Sequence, residues 1–425
     1  MKILLVHNRY QQAGGEDVVF QQEHNLLERM GNEVLVYCRS NSDVGSYSGV
    51  KKLSLLKRTI WSSETYREFR DLLRQEKPDV VHIHNIWVMI SPSIYTACRE
   101  LDVPVVQTFH NYRLLCPVGT FFRDGKVCHE CTNHGLGRSV IHGCYRDSRP
   151  ATAAVALALA IHRWKGTWTT GIDCYITLSQ FSRSLILTAG LPANRVFVKS
   201  NFVHPDPGTS DEKADYALFL GRLSFEKRVS TILNAWTHLD KRVELLIIGD
   251  GPEATPLQQE AARLGLTGVS FLGYITRDRA LGFLRRARFL VFSSELYENF
   301  PMTIAEAFAC GVPVICSRIG AMQEIVEDGR TGLHFTPGDA EDLAAKVQWA
   351  VNHPEQMLQM GREARREYES KYTAEKNYPQ LMEIYQQAIA GKGSQSEAVN
   401  SRQLRSTGEL PGNFSVISTA DDSRS

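Results

Sequence analysis

The chain has 425 residues, 43% of them hydrophobic, and a formal net charge of +1; it is too long for one ordinary domain and offers no global field to a nucleic acid. Its longest weakly polar run, 151–161, is about half of the roughly 20 residues a membrane-spanning helix needs, and the apolar stretch at 3–6 falls short of the roughly 7–15 residues of an export-signal core. Nine cysteines in such a chain speak for a reducing cytoplasm rather than a disulfide framework.

In chain order, apolar runs predict strands at 3–6, 34–38, 80–83, 103–108, 174–179 and 196–200, separated by segments of helical period such as 16–31 and 92–101. This alternation predicts a mostly parallel sheet with helices on both faces. After a polar, turn-rich linker near 202–214 the pattern restarts, with strands at 217–220, 245–248, 269–272, 289–293, 314–316 and 333–335. Helices are expected between them at 229–239, 253–264, 277–287 and 340–351, and beyond them at 355–372 and 374–389. The expected fold class is α/β, with two doubly wound, Rossmann-like domains at 1–203 and 214–372 facing a cleft. From 391 to 425 the composition turns to Gly, Ser, Asn, Gln and charge, which predicts a disordered tail.

Candidate site residues gather where strands end, the place where open α/β sheets bind ligands. The first strand leads through His7-Asn8-Arg9-Tyr10 to Gly14-Gly15 and a helix. Glycines there let backbone amides approach an anion, and the helix N-terminus adds favourable dipole charge; a plain turn explains the same residues. His110 ends another strand, where an imidazole can share a proton with a substrate hydroxyl or serve packing alone. A glycine-rich insertion at 113–148 carries Cys116, Cys128, Cys131 and Cys144. Four thiolates can complete a tetrahedral structural zinc site. Buried thiols, an iron–sulfur centre or a redox pair are the rivals, and His129, His134 and His142 leave the ligand set open. Lys51, Lys52, Lys57 and Arg58, with Arg163, Trp164, Lys165 and Trp168, suggest a surface touching anionic lipid, or a solvated face.

In the second half Gly221-Arg222 and Lys227 follow a strand. A planar guanidinium fork and a mobile ammonium on one loop suit a diphosphate, although pairing with Glu226 would leave only a solvated loop. Gly249-Asp250-Gly251 ends the next strand and is either a nucleotide-wrapping turn or a simple one. Glu298 stands at a strand's mouth and Glu306 one turn inside the following helix, flanking Asn299-Phe300-Pro301. Carboxylates there can accept paired hydrogen bonds from vicinal hydroxyls of a sugar or ribose; surface solvation is the alternative.

With these residues in view the chain resembles the retaining glycosyltransferases of family 4, also described as glycosyl transferases group 1, which have the GT-B fold. The likeness covers roughly residues 1–390 and rests on Gly221-Arg222-Leu223 with Glu226-Lys227, on Glu298-Asn299-Phe300-Pro301 with Glu306-Ala307-Phe308-Ala309-Cys310-Gly311-Val312-Pro313-Val314, and on the 320–332 run. The resemblance implies that Arg222 and Lys227 hold the donor diphosphate, Glu306 the ribose, and Glu298 with the backbone of Asn299, Phe300 and Pro301 the donor sugar. It implies that Gly15 faces the phosphates from the N-terminal side and that His110 lies beside the transferred sugar, making His110, Arg222, Lys227 and Glu298 the catalytic set. The acceptor hydroxyl would attack on the face the diphosphate leaves, with retention. Neutralisation by Arg222 and Lys227 would remove the need for a catalytic metal, in agreement with the absence of an Asp-x-Asp pair. The final helix, 373–390, is expected to pack back toward the N-terminal domain. Expected partners are a nucleotide-sugar donor and a sugar- or lipid-linked acceptor, in polysaccharide, lipopolysaccharide or other glycoconjugate synthesis, in the cytoplasm at the inner face of a membrane. A non-catalytic nucleotide-sugar-binding protein, an epimerase or a phosphorylase would use the same cleft.

Overall fold

The computed structural model describes residues 1–10, 14–41, 58–239 and 243–406. The first half contains β1 (Lys2–Arg9), α1 (Gly15–Arg29), β2 (Glu33–Ser40), α2 (Ser63–Glu76), β3 (Val80–Ile83), α3 (Ser93–Glu100) and β4 (Val105–Thr108). The insertion folds as a hairpin, β5 (Phe122–Arg123) and β6 (Lys126–Val127), followed by short helices α4 (Glu130–His134) and α5 (Gly137–His142). The half ends with α6 (Arg149–Trp164), α7 (Thr167–Thr170), β7 (Cys174–Thr177), α8 (Gln180–Leu187) and β8 (Val196–Val198). Ser62, Ser148 and Ser179 start α2, α6 and α8 by accepting from backbone amides of the first turn, the usual device for orphan donors at a helix start.

The second half runs β9 (Tyr216–Leu220), α9 (Val229–Trp236), β10 (Glu244–Ile248), α10 (Ala254–Arg263), β11 (Val269–Gly273), α11 (Arg277–Arg286), β12 (Phe289–Phe292), α12 (Met302–Ala309), β13 (Val314–Ser317), α13 (Gly320–Ile325) and β14 (Gly332–Phe335). Helices α14 (Ala340–Asn352), α15 (Pro354–Lys371) and α16 (Ala374–Ser406) close the described chain. The helix that sequence composition ends at 389 therefore continues to Ser406, through residues expected to be disordered; 407–425 lie outside the described residues.

Both principal sheets have six strands, in the orders β2-β1-β3-β4-β7-β8 and β11-β10-β9-β12-β13-β14, and all their pairings are parallel. Strands β3, β4, β7, β12, β13 and β14 are buried at every position, because helices cover both faces of such sheets. In each sheet the chain leaves one strand to one side and later returns to the other, so that crevices open between the ends of β1 and β3 and of β9 and β12. These are the switch points at which open sheets take ligands. The joining segment is tied down: Val203 donates to the Tyr372 carbonyl at 3.0 Å, and Arg365 forks onto Asp206 at 2.8 and 2.6 Å. Helix α16 crosses to the first half, where Leu381, Ile384, Tyr385 and Ala388 join Ile3, Leu5 and Val106 in one core.

Candidate active site

The loops beyond β9, β10 and β11 and the start of α12 enclose a cavity of about 850 Å³ whose far wall includes Gly15 at the start of α1. Arg222 enters it from the turn after β9 and Glu306 from α12. Arg222 is exposed and has no side-chain partner among the described residues, so its fork is available to an anion. An alanine carbon at Gly15 would meet nothing within 4 Å, which leaves the backbone there open to a ligand.

The walls depend on two glycines. A side-chain carbon at Gly249 would lie 1.8 Å from the Gly221 carbonyl oxygen, and one at Gly251 would lie 2.2 Å from that of Leu223. Only glycine lets the turn after β10 lie against the turn that carries Arg222.

Glu306 Oε1 accepts from Arg277 Nε at 2.9 Å, and the carboxylate side chain is 12% exposed. Burial raises its affinity for a proton and Arg277 opposes that. Arg277 Nη2 is buried without a partner among the described residues, so the same guanidinium that steadies Glu306 keeps a donor in hand. At the rim Tyr274, 80% exposed, offers a ring face of the kind on which a nucleobase stacks.

Lys227 and Glu298 lie outside the residues lining this cavity, beyond the ends of β9 and β12, and pair with each other through Nζ and Oε1. Ser294 Oγ also donates to Glu298 Oε1, at 2.8 Å. Neither cation of this loop pairs with Glu226, which instead accepts from Ser224 Oγ at 2.6 Å; Arg228 turns to Glu295 at 2.9 Å. Asn299 reaches across to the first half, its Nδ2 donating to the Phe109 carbonyl at 2.7 Å and its Oδ1 accepting from Ser182 Oγ. Phe300 is buried against Tyr372 and Pro301 is the N-cap of α12. The side chains of these three residues hold structure, and what they can offer a ligand is backbone.

The sequence carries matching signatures in both halves. Residues 13–207 match the family described as Glycosyltransferase Family 4, and residues 202–367 match Glycosyl transferases group 1. The chain belongs to the GT-B glycosyltransferases. An uncharacterized glycosyltransferase of Methanocaldococcus jannaschii is 29% identical over 219 residues, which cover 52% of this chain and 61% of that one. The glycogen synthase of Mycobacterium tuberculosis is 26% identical over 332 residues, 75% of this chain and 71% of its own. Among solved structures, Anabaena HepE in complex with UDP superposes with a TM-score of 0.64 at 18% identity, covering 90% of this chain and 99% of that one.

Within this GT-B glycosyltransferase His110 follows β4, its Nε2 2.9 Å from Nδ1 of His84. The cysteine-bearing insertion docks on the loops after β9 and β12: Arg228 Nη2 donates to the Gly125 carbonyl at 3.0 Å, and His129 Nε2 lies 3.2 Å from the Tyr297 hydroxyl. Cys116 and Cys131 face each other, Cys144 is within electrostatic range of Cys116 and Cys128, and all four are free thiols. No three of these sulfurs lie within 4.8 Å of one another, whereas tetrahedral zinc with bonds near 2.3 Å would place them about 3.8 Å apart.

The lipid-facing surface expected from the sequence is corrected in part. Trp168 is buried at 6% exposure, whereas Arg163 is exposed and donates from Nη2 to the Leu114 carbonyl at 2.5 Å. Trp164 is 85% exposed; Lys51, Lys52 and Lys57 lie outside the described residues. No described helix is long and apolar enough to cross a membrane.

Sequence reasoning passed over Arg277, Tyr274 and Glu324. The first was detectable as the basic residue opening the helix after the third strand of its sheet, next to the crevice. Glu324 accepts from the backbone amides of Gln180 and Phe181 at 2.9 and 2.8 Å, so α13 of one half caps α8 of the other. Nothing local in the sequence announces that contact.

Proposed function

We propose that this chain transfers a sugar, with retention of anomeric configuration, from a nucleoside-diphosphate sugar to a hydroxyl acceptor. The observation that carries the reading is the convergence of an unpaired Arg222, a partly buried Glu306 and the open backbone at Gly15 on one cavity at a sheet switch point. Glu306 would accept the ribose hydroxyls while Tyr274 stacks the base. Arg222 and Lys227 would neutralise the diphosphate as it leaves, an electrostatic contribution of about 3–4 kcal/mol for each well-placed donor, without a catalytic metal. Glu298 and the backbone from 299 to 301 would orient the sugar. The acceptor hydroxyl would bond to the anomeric carbon on the face from which the C–O bond to phosphate breaks, and the departing phosphate oxygen would take its proton. UDP in the Anabaena relative and a UDP-glucose complex of the same protein support a nucleotide-sugar donor.

The acceptor would enter from the first half, as a sugar- or lipid-linked hydroxyl in glycoconjugate or polysaccharide synthesis at the cytoplasmic face of a membrane. Trp164, with Lys165 beside it, is the proposed point of contact with anionic lipid; absence of binding to anionic vesicles at low salt would remove that contact. Cys116, Cys128, Cys131 and Cys144 are proposed to close on a structural zinc by side-chain rotation, which metal analysis at one zinc per chain would support and its absence would exclude.

The deciding experiment screens UDP-, GDP-, ADP- and TDP-sugars for nucleotide release by the wild type and Glu298→Gln, with and without membrane-lipid extract. Release from one donor, lost in the variant, with an axial or equatorial product linkage matching that donor, is the expected result. Silence under every condition, or an inverted product, would sink the reading.

A further inference from the structure

Behind His110 a file of buried ionisable groups crosses the first sheet, and donor binding does not account for it. His84, which contacts His110 through Nδ1, has its Nε2 3.1 Å from Oε1 of Glu23 on α1. Glu23 Oε2 accepts from Lys199 Nζ at 2.9 Å, and Lys199 also donates to Asn377 Oδ1 on α16 at 3.0 Å. His82 Nδ1 lies 3.0 Å from the same Glu23 Oε1 and 2.7 Å from the Tyr385 hydroxyl, and its Nε2 lies 2.8 Å from Thr108 Oγ1. The side chains of Glu23 and Lys199 are each 2% exposed. Glu23, His82 and His84 are the one group of three ligand-type side chains among the described residues whose donor atoms gather within 4.8 Å. The Lys199 ammonium already supplies the cation for Glu23, so the group is an ion-pair network rather than a metal centre.

These contacts allow one consistent placement of protons. Burial opposes ionisation of Glu23, but Lys199 and the two histidines outweigh it and hold the carboxyl well below its ordinary range. Burial, reinforced by His82, pushes the His84 imidazole down to about 4. Burial and His84 likewise hold His110 well below its ordinary value. Both rings are therefore neutral near pH 7. Glu23 can only accept, so His84 donates from Nε2 and its Nδ1 is bare. A bare Nδ1 can only accept in turn, and the proton between the rings belongs to His110 Nε2.

We propose that Glu23 and His84 are positioning residues that lock His110 in its Nε2–H tautomer, so that it meets a substrate hydroxyl as an acceptor through Nδ1. This rests on the reading of His110 as a neighbour of the transferred sugar. His110 then orients a hydroxyl and delivers no proton to the leaving group.

The test is nitrogen-15 NMR of the full chain labelled at histidine, with His110 assigned by difference from His110→Gln. The expected result is a protonated Nε2 and a bare Nδ1 on His110, without titration from about pH 6 to 9; a protonated Nδ1, or a midpoint near 6.5, overturns the proposal. In kinetics, His84→Gln can donate to Glu23 and accept from His110, and is expected to keep the tautomer and most of kcat. His84→Leu is expected to lose about 10- to 100-fold in kcat with little change in donor KM. Equal losses in the two variants, with the tautomer intact in the glutamine one, also overturn it. Silence of the wild type with every donor would refute the glycosyltransferase reading alone, since the NMR measurement decides the tautomer without turnover.

Discussion

Lys227 and Glu298 neutralise each other, although one is expected on the leaving diphosphate and the other on the sugar. A donor must therefore divide the pair before it can use either half. Lys227→Ala is expected to lower kcat by a factor of order 10²–10³. Glu298→Gln is expected to lower turnover too, yet to bind the nucleoside diphosphate product more tightly, because Lys227 no longer has a competing carboxylate. Calorimetry of the product alone against both variants checks this; weaker binding to Glu298→Gln would show that the pair is not a competitor.

Glu306 carries a cost in stability. Its carboxyl is raised by burial, so the folded state holds that proton more tightly than the unfolded chain does. Stability from this group is full below its unfolded value, near 4.3, and declines as pH rises through the raised folded value. Glu306→Gln is expected to have a Tm at pH 7 no lower than the wild type while losing donor affinity by about 10- to 100-fold, the size of a charge-assisted hydrogen bond. Scanning calorimetry and donor titration measure the two sides separately.

Glu23 has the opposite sign. The depressed carboxyl of Glu23 contributes stability that is present above its unfolded value and lost as pH falls through the folded one. Glu23→Gln leaves Lys199 buried without its counter-charge and is expected to cost about 3–5 kcal/mol. The double variant Glu23→Gln with Lys199→Met is expected to recover part of that loss. Urea unfolding of the single and double variants reads the coupling; strict additivity would count against the pair.

Gly249→Ala is expected to abolish donor binding while the first sheet stays folded, since the new carbon would sit 1.8 Å from the Gly221 oxygen and force apart the two turns that form the cavity wall. A fluorescence titration with nucleotide, beside a circular dichroism spectrum, distinguishes a lost pocket from a lost fold. Normal affinity would mean that the wall yields.

The parallel strands were legible because a strand covered on both faces reads as an unbroken apolar block, as in Val80–Ile83 and Phe289–Phe292. That Arg222 and Glu306 share one cavity was legible because they sit at fixed offsets from those blocks: Arg222 just beyond β9, Glu306 one turn into α12. Helix α2 escaped notice although Thr65, Phe69 and Leu73 recur every fourth residue on its buried face, because the residues between them are mostly charged. The buried network escaped for a different reason. Glu23 looks like a surface charge on an amphipathic helix until His84 and Lys199, distant in sequence by 61 and 176 positions, are brought to it by the sheet. The resemblance assigns Asn299 to the donor through its backbone, and only the placement of Phe109 and Ser182 shows where its side chain is spent.

Because α16 supplies Leu381, Ile384 and Tyr385 to the core under β1 and β4, the half that is synthesised first is not the half that can be finished first. Its sheet waits for a cover that leaves the ribosome only after the entire second half. The two halves are thus bound together in the order of their making, and a lineage could not shed or exchange one of them at the joining segment without also uncovering the other.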